Sequence, residues 1–152
     1  MSRGAATHAR DVLAVGAVYF AVVFSAGFAL GLVRVLWLVP RLGARAAELM
    51  EAPIMLLVCV IAALWLTGRF GDRIKGWRAW LAVGLAALGL MILAEFTAVL
   101  WMRGVSLEDY LAHRDPVTSR VYLALLGVFA ILPALVSASR RRRRAAPARA
   151  GR

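Results

Sequence analysis

The chain has 152 residues, of which 62% are hydrophobic and 18% are charged, and its formal net charge at neutral pH is +11. Its mean hydropathy is +0.77, which leaves too few polar residues to cover an aqueous surface. The composition therefore excludes an ordinary soluble globular fold, and the length fits one compact domain.

Four apolar runs divide the chain into predicted membrane spans. A helix rises about 1.5 Å per residue and needs roughly 20 residues to cross the hydrocarbon core of a bilayer. The sequence therefore predicts an all-α polytopic membrane protein, a four-transmembrane-helix bundle formed by residues 1–139. A basic, disordered tail is expected at residues 140–152. The predicted spans are residues 12–38, 50–68, 79–102 and 117–138.

Two prolines fall inside these spans. Pro53 follows Glu51 closely and is expected in the first turn of the second span, where a missing backbone N–H costs little. Pro133 lies late in the fourth span, so it should kink that helix unless the helix ends there.

Positive charge is unevenly divided between the two sets of connections. Thirteen of the nineteen basic residues fall in the N-terminal segment, in the connection between the second and third spans, or in the C-terminal tail, whereas the other two connections hold five. Because basic residues accumulate on the cytoplasmic side, both termini are expected in the cytoplasm. The abundance of arginine and alanine, with a single lysine, indicates a bacterial source. The predicted location is therefore a bacterial cytoplasmic (inner) membrane.

Three charged residues are placed inside the spans, in the outer third of the membrane. Arg34 lies in the first span, Glu51 near the outer end of the second, and Glu95 in the third. Placing an unpaired charged side chain in hydrocarbon costs roughly several kcal/mol, so such residues usually pair with another group or face a cavity. We expect an intramembrane cluster of Arg34, Glu51 and Glu95, joined by Arg120 or Tyr122 from the fourth span. It could form a ligand, ion or proton site, or a structural ion pair, or Arg34 could extend to the outer headgroups.

Two glycines share a helix face with Arg34. Gly27 and Gly31 are spaced four residues apart and Arg34 follows three residues later. Small residues at this spacing allow another helix to approach closely, which would help to bring a carboxylate to Arg34. Helix packing with no further role explains the same pattern.

A run of five arginines follows directly on the last span. Such a run attracts anionic lipids, and it also anchors the topology at the cytoplasmic surface. No aromatic residues accompany it for base stacking, so nucleic-acid binding is not expected. The run consists of Arg140, Arg141, Arg142, Arg143 and Arg144.

The sequence lacks the residues that several kinds of cofactor site and catalytic site require. The chain has two histidines, both outside the predicted spans, and one cysteine, Cys59. A bis-histidine haem within the bundle and a Cys-x-x-Cys redox pair are therefore excluded for one chain, and no metal site or cofactor is expected. Zinc-protease, serine-hydrolase and nucleotide-binding motifs do not occur. Arginine and glutamate alone can support some catalysis, so an enzyme is not excluded, but no catalytic residue can be assigned.

Several segments resemble a group of small inner-membrane proteins of proteobacteria. They are residues 27–43 (GFALGLVRVLWLVPRLG), Glu48, Glu51-Ala-Pro53, Ala94-Glu95 and Arg114-Asp115-Pro116-Val117. The resemblance spans roughly residues 19–135 and leaves out the basic tail. It implies a four-helix membrane fold, and because that group has no assigned activity, it implies no reaction.

These features favour a structural or accessory membrane subunit with an outer-side Arg–Glu cluster, alone, as a homo-oligomer or with a membrane-protein partner. One alternative is a small oligomeric transporter or channel, with Glu95 as the coupling carboxylate and Arg34 as its partner. Another is a membrane enzyme that acts on a lipid or envelope substrate, with Glu51 or Glu95 as acid or base.

Overall fold

The computed structural model of the protein describes the backbone of residues 3–103 and 116–145, and the side chains of residues 8–97 and 117–143. All elements in these ranges are helical, which confirms an all-α four-helix bundle. The elements in chain order are α1 (Arg3–Val33), a π-helical segment (Arg34–Leu38), α2 (Val39–Leu42), α3 (Ala44–Arg69), α4 (Trp77–Arg103) and α5 (Pro116–Ala145).

Four stretches of helix are long and apolar enough to cross a membrane. Their outward surfaces carry large apolar side chains, including Phe28, Trp37 and Leu57, each more than half exposed. Such a surface is stable in lipid and not in water, and it marks a multi-pass membrane protein. The four stretches are His8–Leu42, Ala44–Arg69, Trp77–Thr97 and Val117–Arg143.

The helices extend beyond the predicted spans. Because α3 begins at Ala44, Pro53 lies inside that helix, and its predicted place in the first turn was wrong. Helix α5 continues through Arg140 to Ala145, where a disordered tail was predicted to begin. Arginine is a good helix former, and cations near a helix C-terminus interact favourably with the helix dipole. Residues 146–152 lie outside the described part of the chain.

A glycine reverses the chain between the first two spans. Gly43 has a φ of +80°, a backbone conformation that residues with a Cβ rarely adopt. Its N–H donates to the carbonyl of Val39 at 3.0 Å, and its own carbonyl accepts from the N–H of Ala47 at 3.2 Å. The α1–α2 segment and α3 therefore form an antiparallel hairpin, called here the first hairpin.

Each terminal helix packs against both middle helices. Helix α1 contacts α3 and α4, and α5 contacts α4 and α3. The connection of residues 70–76 between α3 and α4 is held by Ile74, whose side chain is buried in the core. At Gly84 of α4 the backbones approach so closely that a Cβ would overlap the carbonyl oxygen of Ala130 in α5.

An aromatic pair joins α1 to α5 through the centre of the bundle. The rings of Tyr19 and Phe129 stack with their centroids 4.6 Å apart, and both side chains are buried. The Tyr19 hydroxyl donates to the carbonyl of Phe129 at 3.2 Å. Residue 133 would normally donate its N–H to that carbonyl, but Pro133 has none. Tyr19 thus satisfies a backbone acceptor that the proline leaves without its helical partner.

Replacing Tyr19 by phenylalanine should test whether the tyrosine hydroxyl takes the place of the backbone N–H that Pro133 lacks. The ring stays, the hydroxyl is lost, and we expect the free energy of unfolding in mixed micelles to fall by about 0.5–2 kcal/mol. In a Pro133→Ala background the alanine N–H can bond to the Phe129 carbonyl, so the same change should cost less. An equal cost in both backgrounds would show that Tyr19 does not compensate for the proline.

Candidate functional site

Arg34 occupies the first position of the π-helical segment. The carbonyl of Arg34 accepts a hydrogen bond from the N–H of Val39, five residues later. Pro40 cannot donate the next hydrogen bond and would clash with the carbonyl four residues before it in a regular α-helix. The proline therefore accounts for the wider turn, a feature that often accompanies functional sites in membrane and soluble helices.

The first hairpin brings Arg34 level with α3. Arg34 lies nine residues before Gly43 and Glu51 lies eight residues after it. With a rise of about 1.5 Å per residue, both side chains lie about 12–14 Å from the turn. Glu48 precedes Glu51 by three residues, so the two carboxylates share a face of α3.

Arg34 forms salt bridges to both carboxylates. Its Nε lies 3.1 Å from Oε2 of Glu51, and its Nη1 lies 3.4 Å from Oε1 of Glu48. The Arg34 and Glu51 side chains are 30% and 15% exposed, so this pair is largely shielded. Neither Nε of Arg34 nor Oε2 of Glu51 has a hydrogen-bond partner, so their contact is an attraction between charges. Arg34, Glu48 and Glu51 are called here the hairpin cluster.

Glu95 has a different partner. The hydroxyl of Tyr122 in α5 donates a hydrogen bond to Oε1 of Glu95 in α4. Both side chains are half-buried. This contact joins α4 to α5, as the hairpin cluster joins the π-helical segment to α3.

The predicted single cluster is thus divided into two polar contacts. Arg34 and Glu51 meet, as the sequence predicted, but the described side chains include no salt bridge between Arg34 and Glu95. The offset between α1 and α4 explains this. Gly16 packs against Val83 and Ala86, and from that contact Arg34 is 18 residues away whereas Glu95 is 9 residues beyond Ala86. The two side chains therefore differ by roughly 13 Å along the bundle axis.

Arg120 takes no part in either contact within the described region. Its side chain is exposed, and it forms no salt bridge with the glutamates of the described spans. Residues two apart on a helix point about 200° away from each other. Since Tyr122 faces Glu95, Arg120 points to the other side of α5.

The two glycines of the first span behave differently. A Cβ at Gly27 would lie 3.3 Å from the terminal methyl group of Met55 in α3, so this glycine is at a helix contact. A Cβ at Gly31 would have no neighbour within 4 Å. Of the predicted packing pair, only Gly27 faces α3 closely.

The basic run contains a residue whose role was not visible in the sequence. Nη2 of Arg140 donates to the carbonyl of Leu64 in α3 at 2.9 Å, and its guanidinium covers Gly68. Arg141, Arg142 and Arg143 are exposed, and the side chain of Arg144 lies outside the described residues. The first arginine of the run thus binds the protein itself.

Chemically, these contacts are suited to holding helices together. Glu48 is the one member of the hairpin cluster that was not predicted, and its three-residue spacing from Glu51 was the available signal.

Within residues 8–97 and 117–143, no three metal-ligating side chains come together. Cys59 is buried in the core among apolar neighbours.

Comparison with protein-family models, with curated proteins and with solved structures gives no match for this chain. The resemblance to small proteobacterial membrane proteins therefore stays a prediction.

A double-mutant cycle should separate the two contacts. Arg34→Gln and Glu51→Gln should each lower the free energy of unfolding by about 1–3 kcal/mol, because the first leaves two carboxylates without their cation and the second leaves Arg34 with Glu48 alone. The double variant should recover about 1 kcal/mol of the summed loss. The matched cycle of Arg34→Gln with Glu95→Gln should show coupling below about 0.5 kcal/mol. Strong coupling of Arg34 to Glu95 would contradict the two-contact arrangement.

Proposed function

We propose that the protein is a structural or accessory subunit of a bacterial inner membrane, in which polar groups inside the bundle hold neighbouring helices together. The observation that carries this proposal is the hairpin cluster. It ties the π-helical segment to α3 through a contact whose Glu51 side chain is 15% exposed.

The energetics of charge in lipid support a structural role. A charge in hydrocarbon is costly unless it is paired, and an ion pair between helices offsets much of that cost. Arg34 meets two carboxylates, and Glu95 accepts a hydrogen bond from a phenol on the next helix. Each charge therefore has a partner that also fixes a helix interface, and no reaction is needed to account for its presence.

The proposed orientation places both termini in the cytoplasm. It is supported by the concentration of basic residues in the N-terminal segment, the 70–76 connection with its flanks, and the C-terminal run. Trp65 and Trp77 flank that connection and are half exposed, as expected for aromatic residues at a membrane–water interface.

Single cysteines should report this orientation. In a Cys59→Ala background, Lys75→Cys should react with a membrane-impermeant maleimide only after the cells are permeabilised. Arg41→Cys, at the opposite end of the bundle, should react in intact cells. Labelling with the reverse pattern would contradict the proposed orientation and leave the bundle itself unaffected.

Proteoliposomes should distinguish a structural role from transport. Vesicles that contain the native protein should conduct protons and small ions no faster than empty vesicles. The variant Arg34→Met, Glu48→Gln, Glu51→Leu should keep its stability within about 1 kcal/mol, because it removes all three charges together and leaves none without a partner. An ion flux that is present in the native protein and absent from this folded variant would contradict the structural proposal and support the transporter.

A further inference from the structure

The basic run on α5 is fixed against the end of α3. Helix α5 extends through Arg143 in the region whose side chains are described, and Arg140 donates to the Leu64 carbonyl at 2.9 Å. A Cβ at Gly68 would lie 3.1 Å from Nη1 of Arg140, so the absence of a side chain at Gly68 leaves room for the guanidinium. The run is therefore held at the level where α3 ends.

A second set of basic residues begins where Arg140 binds. Helix α3 ends at Arg69, one residue after Gly68, and the 70–76 connection and the start of α4 follow. All eight basic side chains of these two segments are exposed, and the segments contain one acidic residue, Asp72. The eight are Arg69, Arg73, Lys75, Arg78, Arg140, Arg141, Arg142 and Arg143.

Aromatic side chains at this end indicate the depth of the guanidinium groups. The guanidinium carbons of Arg69 and Arg78 each lie 5.7 Å from an aromatic ring centroid, on Phe70 and Trp77 respectively. Trp65 meets Phe70 edge to face with a centroid distance of 6.3 Å. Exposed tryptophans prefer the headgroup layer of a bilayer. Arg78, which lies over Trp77, and Arg69, which lies over the Phe70 ring that Trp65 contacts, are therefore expected at the depth of the lipid headgroups.

We propose that this end of the bundle binds the phosphate groups of anionic phospholipids on one composite surface, formed jointly by the 69–78 segment and the α5 run. This goes beyond the structural role of the hairpin cluster and requires only that the helices span a membrane. Arg140 is the positioning residue, because it fixes the run to α3. The lipid-binding residues are the exposed cations on the α3 side of α5 and on the connection.

Helix geometry specifies which arginine of the run belongs to this surface. Successive residues on a helix are about 100° apart, so Arg143 lies within about 60° of Arg140 and faces the α3 side. Arg142 lies about 160° from Arg140 and faces away. Helices α3 and α5 run in the same direction, so Arg143 lies beyond the contact of Arg140 with α3, near the level of the connection.

Lipid retention measured by native mass spectrometry tests the composite surface. The full chain is titrated with phosphatidylglycerol, with phosphatidylcholine as the uncharged reference. Arg143→Gln and Arg73→Gln should each weaken phosphatidylglycerol binding by about fivefold. Two controls remove the same charge elsewhere: Arg142→Gln on the far side of the run, and Arg41→Gln at the opposite end of the bundle. Both should change binding less than twofold.

The positioning role of Arg140 has its own readout. Arg140→Gln removes one charge and the anchor, so it should weaken phosphatidylglycerol binding more than Arg142→Gln does. It should also make the remaining run more accessible to trypsin in detergent. Arg140→Lys keeps the charge and should restore binding only in part, because an ammonium lacks the planar donors of a guanidinium.

Three results would overturn the composite surface. If Arg142→Gln weakens binding as much as Arg143→Gln, and Arg73→Gln has no effect, the run binds lipid by itself. If phosphatidylcholine is retained equally well, the charges do not select the headgroup. If millimolar glycerol phosphate displaces the bound lipid, the site takes a soluble phosphate. The impermeant-maleimide experiment is independent of all three, so a wrong orientation and a wrong lipid site can be told apart.

Discussion

The hydrocarbon core of a bilayer offers no hydrogen-bond partners, and this is the constraint on which the rest of this structure depends. A polar group in hydrocarbon has to find its partner within the protein, and in this chain the partner lies on a neighbouring helix. Arg34 meets Glu48 and Glu51 on α3, and Glu95 accepts from Tyr122 on α5. The same requirement extends to the backbone, where Tyr19 donates to the carbonyl that Pro133 leaves without its usual partner. Each of these contacts gives a polar or charged group a partner on another helix and so joins two helices.

The distribution of these contacts explains how four largely apolar helices adopt one arrangement. Apolar side chains gain little by packing against one another instead of lipid, so contacts of this kind and close backbone approaches specify the partners. The hairpin cluster joins the first two spans, and Glu95 with Tyr122 joins the last two. Gly84 allows α4 to approach α5 closely, while Gly16 packs α1 against α4. Arg140 connects α5 to α3 at the end that carries the 70–76 connection.

The sequence was sufficient to predict the four spans and the meeting of Arg34 with Glu51. Apolar runs of this length leave few alternatives, and a hairpin around Gly43 places residues at similar distances from the turn side by side. The pairing of Arg34 with Glu95 failed because the offset between α1 and α4 is set by the packing of Gly16, which no periodicity reveals. The sequence alone shows that Pro133 cannot donate to the carbonyl of Phe129. It does not show that the donor is Tyr19, which lies 110 residues away in the chain.

Arg34 and Glu51 are held in place by their mutual attraction, and exchange of the two charges tests this attraction most directly. The measurement is the free energy of unfolding in mixed micelles of Arg34→Glu, Glu51→Arg and the combined variant. Each single reversal should destabilise the bundle, because like charges then meet in a largely shielded place. The combined variant should regain at least half of the summed loss. If the combined variant loses as much free energy of unfolding as the two single reversals lose together, the mutual attraction is contradicted and Arg34 is left without a structural function.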